Sequence, residues 1–134
     1  MRSGNEPFWL DEAMIRAMHA DQQHQHGGLS GSNENLIQAT LARPKNLFVY
    51  GESTPTIFEL AAAYCYGFAK NHAFVDGNKR LSFVAMATFL ELNGYSFDAP
   101  EVEVVVMMEG IASSEETQES LAVWIQKNSI EYGE

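Results

Sequence analysis

Apolar positions recur along this chain in two rhythms. Through most of it they fall three and four residues apart, while in EVEVVVMMEGIA (101–112) they partly alternate. The helical rhythm predicts a helix over residues 9–24, with Leu10, Met14, Ala17 and Met18 on one face. HQHGGLSGSNEN (24–35) breaks that rhythm and is a Gly/Ser/Asn loop, the one low-complexity segment. Asn33 or Asn35 can cap a second helix, LIQATLA, which stops before Pro44 because proline lacks an N–H and crowds the preceding turn. KNLFVYGESTP then reads as a connector turning near Gly51. A third helix over 56–71 carries the stripe Ile57, Leu60, Ala61, Tyr64, Cys65 and Phe68. A fourth begins near Gly77 and stops at Asn93-Gly94, glycine being the usual left-handed terminator. It is apolar all round from Phe83 to Leu90, which marks it as the buried central helix. The alternating segment would suit a strand. No second strand is evident to pair with it, so it reads as a helix. Ser113 with Glu116 predicts a capping box for a last helix carrying Leu121, Trp124 and Ile125. With no internal repeat and no compositional break, the expectation is one all-α domain over 1–134.

Composition narrows the function. Hydrophobic residues make up 46% of 134, enough for a real core, and no apolar run reaches the roughly 18 residues of a membrane span. The acidic start MRSGNEPFWLDEA does not read as a secretory leader, and a single cysteine, Cys65 in AAAYCYGFA, points to a buried thiol in a reducing cytoplasm. A net charge of −10 with only eight Lys and Arg argues against direct binding of DNA or bulk RNA, whose phosphates demand cations. A small phosphate compound held by a few local cations, or a basic protein partner, stays open.

Those local cations stand at the mouth of the fourth helix, in HAFVDGNKR (72–80). The first amides of a helix lack intrahelical partners and sit at the positive end of its dipole, so they attract anions, phosphate above all. Gly77 and Asn78 supply such amides, with backbone approach eased by the glycine. Lys79 and Arg80 add full charges. Asp76 suits either an N-cap or a Mg²⁺ ligand, since Mg²⁺ takes one or two carboxylates plus phosphate oxygens. His72 is either structural or a base able to take a hydroxyl proton near neutral pH. Phe74 reads as the anchor of the loop. Base, carboxylate, amide nest and cations within nine positions form the inventory of phosphoryl or nucleotidyl transfer.

HAFVDGNKR resembles the signature loop of the Fic/Doc superfamily, specifically the death-on-curing (Doc) branch, H-x-F-x-D-x-N-K-R. LIQATLARPKNLFVYG, AAAYCYGFAKNH, FLELNGY and a late Trp-bearing helix extend the likeness from about Trp9 to Trp124. The resemblance implies a compact all-α fold with the active loop between two central helices. It implies His72 as base, Asp76 as metal ligand, Gly77 and Asn78 as the anion nest, and Lys79 and Arg80 as phosphate clamps. Most of the superfamily carries glycine where Lys79 stands and transfers AMP from ATP to a protein hydroxyl. Doc-type toxins resemble protein kinases that bind ATP turned around, so that the terminal phosphate meets the target. The implied activity is therefore ATP- and Mg²⁺-dependent phosphorylation of a threonine of elongation factor Tu, arresting translation, with a Phd-like antitoxin neutralising the toxin through a C-terminal helix. An AMP-transferring Fic enzyme and a non-catalytic Fic-like binding domain are the alternatives. Phe8, Trp9 and Tyr132 are the expected exposed anchors for the antitoxin helix.

Three departures from the common pattern stand out. Ala73 replaces the usual proline, Ser32-Asn33 replaces an Arg-Asp pair that bears on nucleotide holding or loop folding, and RLSF replaces RTA. SGSNEN (30–35) also fits the pattern by which many Fic enzymes inhibit themselves, a Glu against the motif arginine, here Glu34 against Arg80. The reading preferred here is that Glu34 is a first-turn acid favouring the helix dipole. His19, His24 and His26 read as a solvated helix end rather than a metal tract. The acids at 101, 103, 115, 116 and 119 read as a solvated face.

Overall fold

The computed structural model describes residues 6–132. Among them six helices run in the order α1 (Glu12–His26), α2 (Glu34–Tyr50), α3 (Ile57–Asn71), α4 (Asn78–Leu92), α5 (Glu101–Ala112) and α6 (Gln118–Lys127). β1 (Tyr95–Phe97) follows α4 and β2 (Ser129–Glu131) follows α6. The fold is all-α with one small addition: these strands pair antiparallel, Ser96 opposite Ile130. No sequence rhythm predicted that ladder, because three residues are too few to display alternation.

α3 is the helix at the centre. Leu60 through Cys65, with Gly67 and Phe68, are buried, and α2, α4, α5 and α6 all pack against it. The expectation that α4 would be buried on every side is corrected. α4 buries Leu81, Ala85, Met86, Phe89 and Leu90 against α3 but leaves Phe83, Val84 and Ala87 only half covered. Gly67 explains how α2 comes so close: a Cβ there would stand 2.9 Å from the Thr40 methyl. Burial in this core pushes the Cys65 thiol up to about 12, so it is an inert buried sulfhydryl as expected. No described helix is long and apolar enough to cross a membrane.

Local rules failed at two helix ends. α2 runs straight through Pro44 to Tyr50 instead of stopping before it. An interior proline costs ~3 kcal/mol. The buried face Ile37, Leu41 and Pro44, continued by Leu47 and Phe48 against the core, offsets that cost. α6 is capped by Thr117, whose hydroxyl accepts from the Ser120 amide, whereas Ser113 ends α5. Glu116 is half-buried beside Gly110 and accepts from the Ser120 hydroxyl, so it does not belong to the solvated acidic face.

α1 also faces differently. It begins at Glu12 behind the Asp11 cap, and its buried residues are Ile15 and His19; Met14 and Ala17 are exposed. Trp9 lies against Phe89 and Phe48, with centroids 6.2 Å and 5.6 Å away, so it serves the core and is not an exposed anchor.

Candidate active site

The loop between α3 and α4 is built by an unusual helix exit. α3 ends at His72, which takes the left-handed conformation at φ 52° and ψ 51°. Left-handed backbone strains a residue that carries a Cβ, and glycine is the usual occupant of such a helix end. The reversal sends Ala73 and Phe74 into the core while the His72 side chain stays exposed.

Several fastenings hold the strained loop. The Asn78 side chain closes on the backbone of Phe74, donating to its carbonyl at 2.7 Å and accepting from its amide at 3.1 Å. Phe74 is buried, as the anchor reading expects, and its ring stacks on His19 with centroids 3.9 Å apart. The Gly31–Asn33 segment adds a short antiparallel bridge: the Asn33 amide donates to the Ala73 carbonyl at 2.8 Å and the Val75 amide to the Gly31 carbonyl at 3.0 Å. Asn33 also caps α2 by accepting from the Leu36 amide, and Ser32 accepts from Arg16. The departing pair Ser32-Asn33 therefore takes part in folding the loop.

At the start of α4, Gly77 is the N-cap at φ 80°, and no side chain caps the helix. Asp76 is not that cap. Its carboxylate accepts from the Gly77 amide at 3.1 Å and from the Leu29 amide at 3.3 Å, and its side chain is exposed. The N-cap alternative for Asp76 is thereby removed.

His72, Asp76, Gly77, Asn78, Lys79 and Arg80 all line one cavity of about 630 Å³, together with Ala69, Lys70, Val75 and Ala112. Phe74, the remaining predicted residue, stands behind its wall. Three of the chain's eight Lys and Arg meet there, so an acidic molecule presents a locally cationic pocket. Among the described residues neither Lys79 nor Arg80 makes an ion pair. Lys70 was not singled out from sequence. It donates to the Ile111 carbonyl at 3.0 Å and to the Ser114 hydroxyl at 2.8 Å, tying the end of α5 to the cavity rim. A second, more apolar cavity of about 280 Å³ shares Lys79 and Arg80 and continues along Phe83, Val84, Val104, Val105 and Met108.

The donor set fits a hard cation shared with phosphate. No group of three or more His, Cys, Asp or Glu that could hold a metal exists among the described residues, so Asp76 stands as a single carboxylate whose partners would be ligand and water oxygens.

Two expectations about neighbouring residues resolve differently. Glu34 binds Arg16 at 2.6 Å and Gln38 at 3.2 Å, within the first turn of α2, so it does not engage Arg80. His19 is buried at 5% exposure, unlike His24 and His26, and so is no part of a solvated helix end. The signal that could have found it was its i+4 spacing from Ile15 on the one apolar face of α1.

A family model described as Fic/DOC family matches residues 9–90. The chain is 33% identical over 108 residues to "Protein kinase doc" of Escherichia phage P1, covering 79% of this chain and 83% of that protein. It is 42% identical over 74 residues to "Toxin Doc" of Mycolicibacterium smegmatis, covering 54% of this chain and just over half, 56%, of that relative.

Proposed function

The chain belongs to the Fic/DOC family, and on that premise we propose that it is a Doc-type toxin: a Mg²⁺-dependent protein kinase that uses ATP to phosphorylate a threonine of elongation factor Tu in the cytoplasm. The observation that carries the reading is the single cavity wall on which an exposed imidazole, a lone carboxylate, the uncapped start of α4 and three cations meet. Similarity to a relative named a protein kinase, and to one named a toxin, supports the choice within the family.

In this mechanism His72 accepts the proton of the target hydroxyl. The hydroxyl oxygen bonds to the γ-phosphorus, the bond from that phosphorus to its bridging oxygen breaks, and ADP leaves with the electron pair. Lys79, Arg80 and the first amides of α4 hold phosphate oxygens and stabilise the charge that develops on them. Bound magnesium would neutralise phosphate charge at Asp76. The lysine fills, with charge and volume, the slot that glycine leaves open for an α-phosphate in AMP-transferring relatives of the resemblance.

A Phd-like antitoxin completes the proposal. Its C-terminal helix, apolar and basic, would meet an acidic surface on which Phe8 and Tyr132 are 51% and 48% exposed.

The test is the intact mass of elongation factor Tu after incubation with the protein and Mg-ATP. A gain of about 80 Da is the expected phosphoryl transfer. A gain of about 329 Da would make the protein an AMP-transferase, and no gain would overturn this target.

A further inference from the structure

α1 reaches the site through one residue. His19 is buried, its ring lies on Phe74 at an interplanar angle of 17°, and its Nε2 is 2.7 Å from the carbonyl oxygen of Asp76. A carbonyl oxygen only accepts, so Nε2 carries the hydrogen.

That contact orients a peptide unit. The Asp76–Gly77 bond is trans, so its carbonyl and amide point in opposite directions. With the carbonyl turned inward onto His19, the Gly77 amide points the other way, where it meets the Asp76 carboxylate on the cavity wall. Glycine accepts φ of either sign at similar energy, so this peptide is the one in the loop most easily flipped. A flipped peptide would present a carbonyl dipole where an anion is to bind, and repel it.

We propose that His19 is a positioning residue, a clamp that selects the Asp76–Gly77 peptide orientation with the amide, and not the carbonyl, on the cavity side. The clamp acts from outside the signature loop, across 57 residues of sequence. Its consequence for anion binding rests on the nucleotide reading above; the orientation itself does not.

The experiment compares the wild type with His19→Phe, which keeps a ring to lie on Phe74 but has no donor, and His19→Gln, which keeps an N–H and gives up the ring. Two quantities are read: the Asp76 carbonyl and Gly77 amide chemical shifts without nucleotide, and the Kd for Mg-ATP by calorimetry. His19→Phe should move both resonances and weaken Mg-ATP roughly tenfold, while His19→Gln should keep both resonances and bind within about threefold of wild type. His19→Leu is read in the same way should phenylalanine not be accommodated. Unmoved Asp76 and Gly77 signals in a folded His19→Phe overturn the clamp. So do equal changes in His19→Gln and His19→Phe, because the ring rather than the donor would then matter. A wild type that ignores Mg-ATP overturns the nucleotide reading alone, since the resonances still decide the clamp.

Discussion

The Asn78 side chain holds the backbone of Phe74 at both of its polar groups, four residues back, with the carbonyl at 2.7 Å and the amide at 3.1 Å. This ring converts a six-residue loop into the first turn of α4. The carboxamide of Asn78 is therefore spent on the loop, and what it leaves for a ligand is its backbone amide.

Asn78→Asp keeps the acceptor for the Phe74 amide but sets a carboxylate against the Phe74 carbonyl. Loss of the donor with both groups buried should destabilise the protein by about 1–3 kcal/mol and abolish transfer. Urea unfolding and a phosphorylation assay measure the two effects. A variant with unchanged stability would show that the ring does not hold the loop.

His72 combines exposure at the cavity with left-handed backbone. His72→Gly should stabilise the fold by about 1 kcal/mol, because glycine bears φ 52° without strain. The same change should lower transfer by roughly 10²–10⁴ if the imidazole is the base. His72→Ala should lose activity equally with almost no gain in thermal midpoint. Near-normal turnover in either folded variant would sink the assignment.

Lys79 is exposed, unpaired among the described residues, and lines both cavities. Lys79→Gly should lose phosphoryl transfer and gain some AMP transfer, read as replacement of the gain of about 80 Da by one of about 329 Da on the target. A Lys79→Gly protein that remains a full kinase would show that charge and volume in this slot do not choose the reacting phosphate.

Glu34 is committed to α2. Hydrogen bonds from Gln38, with Glu12 and Arg16 beside it, hold its carboxyl below the ordinary carboxylate value. A lowered folded value means that its contribution is present above the unfolded value and fades as pH falls through the folded one. The group is exposed to solvent, so the effect should be small and weaker in salt. Glu34→Gln should accordingly trim stability slightly at neutral pH, less at acid pH, and leave the transfer rate unchanged. A large activation would revive the self-inhibition reading.

Sequence alone determined what depends on neighbours along the chain. The extents of α3 and α4 were legible to within a residue or so, because each helix writes its own apolar pattern and its own stop signals, although which side of α4 stays half covered was not. The stretch HAFVDGNKR was legible as a group for the same local reason: one loop and one helical turn carry seven of its nine residues to the wall of a single cavity, while Ala73 and Phe74 turn into the core behind it. What tertiary structure decided is whatever depends on partners far away in sequence. Pro44 stays helical because burial against α3 outweighs a local penalty. Tyr95–Phe97 is a strand only because Ser129–Glu131 returns to it. His19 looked like one of three surface histidines until the chain brought Phe74 and Asp76 over it. Local periodicity states which face of a helix is buried, but which residue meets it there is set by packing, and packing has no period.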